Sequence, residues 1–230
     1  MKHDCIRKAP SSGFTLTELL VVIAIVAVLA ALGFMGISTF IKRANAAKDS
    51  ATLRQIWISI AVYSGDNNDL MPGPLFTTQA PIYNQPISSN PREWRRLSDC
   101  LAPYLGHDNP KKGDFIEEMA ASWQKTPETR NAGAYYMQRK LPIGLGDETR
   151  SPWGIPAPAT GDLRLPMRMS QVMGEPQTSR TWAMTTVDQL HPEMSAPNLN
   201  TPAGMAYGSY RLGIYFDGRV SKFDVNNNPL

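Results

Sequence analysis

Three patterns of hydrophobic and polar positions follow one another along the chain. From Leu19 to Ile37 no charged or strongly polar side chain interrupts the sequence, and Phe40 and Ile41 extend the apolar stretch past Ser38 and Thr39. At about 1.5 Å per helical residue, roughly 20 such residues match a hydrocarbon core about 30 Å thick, so the run predicts a membrane helix or a signal sequence. Residues Lys42 to Tyr63 contain neither Pro nor Gly, and Leu53, Ile56, Trp57 and Ile60 recur at i, i+3, i+4 and i+7. That spacing predicts an amphipathic helix continuing the first, its apolar stripe facing a core and Lys48, Asp49 and Arg54 facing solvent.

Beyond Tyr63 the pattern breaks into short pieces. Gly65-Asp66-Asn67-Asn68-Asp69 predicts the end of the helix, with Gly65 at the C-cap, before Pro72-Gly73-Pro74. Short helices are expected around Glu93 to Leu105 and Asp114 to Trp123, and a strand at Ala134 to Gln138. Pro142 to Pro166, broken repeatedly by Pro and Gly, reads as a long surface loop. Thr181 to Val187, Tyr207 to Phe216 and Arg219 to Val225 are strand-like, and Asp217-Gly218 predicts a type I′ hairpin turn between the last two. The fold class expected is α+β: a long amino-terminal helix, half membrane-spanning and half amphipathic, packed on a small carboxy-terminal antiparallel sheet.

Composition adds mainly exclusions. A net charge of +3 in 230 residues gives no electrostatic case for nucleic acid. Catalysis needs a constellation, and beyond residue 13 the chain offers His107, His191 and Cys100 without a Gly-x-Ser-x-Gly elbow, phosphate loop or CxxC pair. No enzyme activity, cofactor or metal is therefore expected; the acidic turn at Asp66 to Asp69 lacks the spacing of an EF-hand loop. Phe, Tyr and Trp scattered among prolines from Trp94 to Trp182 leave a second function class open, a membrane-anchored or secreted surface- or glycan-binding module. An ordinary secretory signal, cut after Val28-Leu29-Ala30 or Ala31-Leu32-Gly33, would have a shorter apolar stretch than the one present.

Glu18 stands at the front of the apolar run, where an ionised carboxylate costs several kcal/mol unless paired. The segment around it, Gly13-Phe14-Thr15-Leu16-Thr17-Glu18-Leu19-Leu20-Val21-Val22-Ile23-Ala24-Ile25, resembles the cleavage and methylation segment of type IV prepilins and type II secretion pseudopilins. The resemblance implies a leader at 1–13, cleavage after Gly13 by prepilin peptidase, and methylation of the new amino terminus at Phe14. It further implies a transmembrane and assembly helix at 14–41, an amphipathic continuation at 42–64, and an extracytoplasmic head at 65–230 with its hairpin near 207–225. Glu18 would then pair with the freed amine of Phe14 on a neighbouring subunit, setting register while Val, Ile, Leu and Ala faces pack. Implied partners are other pilin or pseudopilin subunits, an inner-membrane assembly platform and membrane lipid. The implied location is a single-pass inner-membrane protein with its head in the periplasm or, after assembly, on the cell surface. Without Lys2, Arg7, Lys8 and Asp4 of the leader, 20 basic and 19 acidic side chains remain. Met35 stands where many pilins carry a helix proline, with Gly33 and Gly36 nearby. Lysines and arginines flank both ends of the apolar run, so the leader is placed in the cytoplasm by the resemblance alone.

The head also resembles a pilin-like family abundant in planctomycetes and verrucomicrobia. The matching residues are Ala47 to Pro72, Pro166 to Gln171, Ser179 to Ala183, Val187 to Gln189 and Tyr215 to Val220. That family usually has histidines where this sequence has Tyr207 and Arg219, so no histidine role carries over.

Overall fold

A computed structural model describes residues 14–84, 95–144, 148–155, 164–194 and 200–230, the side chains of 31–36 excepted. The leader with Gly13, the positions Gly33, Met35 and Gly36, and Trp94 lie outside that description. The chain divides into two compact units, 1–41 and 42–230.

Helix α1 spans Leu16–Asp66. Its stretch within the first unit exposes apolar side chains all round, Leu19, Ile23 and Ile25 among them. Among the described residues no helix is long and apolar enough to cross a membrane; the apolar run read from the sequence includes 31–36.

In the second unit the expected stripe is buried: Leu53, Ile56 and Ile60 are fully enclosed, with Trp57 packed beside them. Burying each such side chain stabilises the fold by about 1.5 to 3 kcal/mol. Lys48 and Arg54 face solvent as expected, but Asp49 does not. It lies on the core side and is fully buried, four residues before Leu53 and so on the same helical face. The helix does not end on Gly65 either. Asn68 and Asp69 take the left-handed conformation, with φ of 55° and 66°, and the Asn67 side-chain amide donates to the Tyr63 carbonyl at 2.8 Å. Asx side chains tolerate positive φ and cap locally, which removes the need for glycine.

Strands β1 (Thr78–Gln79), β2 (Tyr135–Met137), β5 (Trp182–Thr186), β6 (Arg211–Tyr215) and β7 (Val220–Phe223) form one antiparallel sheet in the order β1-β2-β5-β6-β7. The three segments read as strands in the last third of the sequence therefore pair as neighbours in an antiparallel meander, although Tyr207 to Tyr210 lie outside the strand that was expected to include them. The β6–β7 turn is not type I′. Only Gly218 has positive φ (82°), its N–H donates to the Tyr215 carbonyl at 3.0 Å, and the Tyr215 N–H donates to the Arg219 carbonyl at 2.9 Å. This is a three-residue loop closed by a left-handed glycine. A Cβ at Gly218 would also lie 2.8 Å from the Trp57 indole.

Helix α2 (Leu97–Leu101) and a 3-10 turn (Ala102–Leu105) fulfil the helix expected before Leu105. Between Asp114 and Trp123 only one 3-10 turn, Glu117–Met119, is helical. The short helix α3 is Pro127–Arg130. The stretch read as a surface loop instead holds a two-stranded ribbon, β3 (Leu141–Pro142) with β4 (Thr149–Arg150), and sinks Trp153 into the core. Helix α4 (Met169–Gly174) is tied to the end of α1 because Asp69 accepts hydrogen bonds from the backbone N–H and the hydroxyl of Ser170.

Sheet alternation explains two layers. Leu212 and Ile214 of β6 join the main core with the α1 stripe, while Tyr215, Trp182 and Phe223 form a second cluster. Every residue of β6 is buried. Gly213 is required there, since a Cβ would meet Phe223, Thr185 and the Met184 carbonyl within 3.0 Å.

Candidate functional site

The amino-terminal site is built by a helix start. Thr15 precedes α1 and Glu18 sits three residues on, a capping-box spacing. The Glu18 backbone N–H donates to Thr15 Oγ1 at 3.2 Å, and both the Thr15 N–H and hydroxyl donate to Glu18 Oε2 at 2.8 Å. No described residue donates to Glu18 Oε1. Phe14, Thr17, Glu18, Val21 and Val22 line one exposed surface, on which Phe14 and Glu18 stand one helical turn apart. The carboxylate is thus held in place by its own helix end and presents a free oxygen beside Phe14.

The residues weighed for catalysis are kept apart. Cys100 is fully buried, and burial pushes its thiol up to about 12. His107 pairs with Glu118 at 2.7 Å. His191 is buried, hydrogen-bonded with the Thr185 hydroxyl at 2.8 Å and stacked on Tyr136. Among the described residues no group of His, Cys, Asp and Glu could hold a metal. Of the aromatics that raised a glycan-binding reading, Tyr135 and Trp153 are buried in the main core and Trp182 in the second cluster, whereas Phe115 is half-buried and belongs to neither.

Two buried polar constellations escaped the sequence. Asp49 accepts from the Ser122 N–H at 2.9 Å, the Ser122 hydroxyl at 2.7 Å and the Tyr207 hydroxyl at 2.5 Å, and so bolts α1 to a loop and to the segment before β6. Burial beside this carboxylate pushes the Tyr207 phenol far up, so it stays a donor. Arg211 grips Asp188 through Nε at 2.6 Å and Nη2 at 2.8 Å, and its Nη1 donates to the Asp224 and Val225 carbonyls and to Asn227 Oδ1. Strand alternation placed Arg211 on the face away from α1, and nothing in the sequence shows that the last residues of the chain fold over that face. The only available signal was a single arginine opening an otherwise apolar strand.

Against known families, residues 8–34 match the model described as the prokaryotic N-terminal methylation motif. The match covers the capped helix start and the apolar stretch behind it, and supports a type IV pilin- or pseudopilin-like protein. That family is structural, not enzymatic. No curated protein and no solved structure matches the chain, so the resemblance of the head stands on its own residues.

Proposed function

We propose that the chain is a subunit of a type IV pilus-like or type II secretion pseudopilus filament. Prepilin peptidase cuts it after Gly13 and methylates Phe14. Residues 14–41 then serve first as the membrane anchor and later as the assembly helix, with 65–230 displayed as the head. The observation that carries this reading is the methylation-motif match over 8–34, at whose centre Glu18 keeps one carboxylate oxygen free beside Phe14. The freed amine of a neighbour's Phe14 supplies the charge that oxygen lacks; in low dielectric each ion offsets the other's desolvation. Exposure of Leu19, Val22, Ile23 and Val26 supports the same reading, since lipid before assembly and other subunits after it would cover them.

Mass spectrometry of the protein extracted from membranes tests it. The expected mature chain starts at Phe14 and carries one added methyl group. A start near Ala31 or Phe34, or an intact Met1, overturns the filament reading.

A further inference from the structure

The loop that Asp49 anchors forms one side of a recess of about 260 Å³ lined by Lys48, Phe115, Glu117, Lys125 and Arg130. Three cations face one carboxylate there, and none of the three makes an ion pair among the described residues, where the pairs are His107–Glu118, Arg211–Asp188 and Arg219–Asp217. The Arg130 guanidinium lies over the Phe115 ring, 4.7 Å from its centre, which orients it and leaves its N–H edge unused. The frame is stiff. Gln124 accepts from the Ala121 N–H at 3.0 Å and donates to the Ala132 carbonyl at 2.9 Å, and Thr126 caps α3. The negative charge behind the wall, on Asp49, is already committed to Ser122 and Tyr207.

We propose that this recess binds the phosphate headgroup of an anionic phospholipid in the membrane that anchors the chain. The inference rests on the membrane-anchor reading above. Its size fits a phosphodiester and not an oligomeric ligand, and its excess positive charge fits an anion. Sequence supplies the proximity: six residues separate Ile41 from Lys48, and Lys42 and Arg43 among them add basic charge. A membrane tethered that close presents headgroups at high effective concentration, so weak individual contacts suffice. Holding the head on the bilayer in this way would keep unassembled subunits in one orientation.

The test uses the full mature chain in nanodiscs of phosphatidylcholine alone or with an equal share of phosphatidylglycerol. Mass spectrometry reads the rate at which an amine-reactive reagent modifies Lys48 and Lys125. Lys222, which sits over the Tyr210 ring on β7, is the internal reference. Phosphatidylglycerol is expected to slow labelling of Lys48 and Lys125 by about fivefold relative to Lys222. High salt and Arg130→Glu should each abolish the difference. Equal rates in the two lipids overturn the proposal. So does protection in both lipids that grows with the number of chains per disc, which would assign the recess to a second copy. Protein that stays outside discs of either composition overturns the anchor reading as well.

Discussion

Leucine and isoleucine meet opposite fates in two stretches of α1. Leu19 and Ile23 are 58% and 59% exposed, whereas Leu53, Ile56 and Ile60 are wholly buried. The first stretch is apolar on every side, so no single face of a protein could cover it; the second confines its apolar residues to a stripe that one core covers. Carboxylates divide the same way. Glu18 keeps an oxygen without a donor among the described residues, while both oxygens of Asp49 are taken. A carboxylate enclosed with its donors serves the fold, and one left exposed on an apolar helix has an oxygen available to a group from outside the chain.

That contrast predicts that substitutions in the two stretches fail in different assays. Glu18→Ala, with the largest expected effect, should insert in the membrane and leave thermal unfolding of the head within about 0.5 kcal/mol of wild type. Filament incorporation, read by shearing and immunoblotting, should nevertheless be lost; normal incorporation breaks the comparison. Arg211→Ala should do the reverse. It strands buried Asp188 and releases the chain end held through Asp224, Val225 and Asn227, costing about 3 to 5 kcal/mol in denaturant unfolding of the full chain in detergent. Cleavage after Gly13 should be unaffected. Asp49→Ala leaves the Ser122 and Tyr207 donors without their acceptor, and a loss of about 2 to 4 kcal/mol is expected from the same measurement.

The smallest effect should be graded by pH. Burial, reinforced by the Arg211 charge and opposed by Asp188, pulls His191 down from an ordinary 6.5 to about 4. Between those values the unfolded chain binds a proton that the folded head does not, so stability falls as pH drops through that window, by at most about 3 kcal/mol. The gap between the unfolding midpoints of wild type and His191→Gln, which takes up no proton, should be constant above about pH 7 and shift against wild type as pH falls toward 4. Parallel curves would remove His191 as the cause.

Much of the architecture was legible. Leu53, Ile56 and Ile60 announced their helix by spacing, the last three strands by β-branched and aromatic content, and the amino-terminal segment by Gly13-Phe14 with Glu18. Local chemistry decides such features, and local chemistry is what a sequence displays. The turn after Phe216 was read as a turn but given the wrong type, because Asp217-Gly218 suits both a two-residue loop and the glycine-closed three-residue loop that forms. The β6–β7 register, with Ile214 opposite Val220 and Tyr215 bonded to Arg219, leaves three residues in the loop.

What only the tertiary structure decided is where the polar groups end up. Asp49 reads as a solvent-facing residue until Ser122 and Tyr207, 73 and 158 residues away, arrive to satisfy it. Trp153 reads as part of a surface loop until the core closes on it, and Arg211 as an oddity until Asp188 and the chain end enclose it. The sequence by itself determined the apolar start of the long helix, its amphipathic continuation and the strand content, since each depends on neighbours a few positions away. Burial of a charge depends on a partner brought across the fold, and its cost is offset only when that partner arrives, so the sites of Asp49 and Arg211 belong to the structure alone.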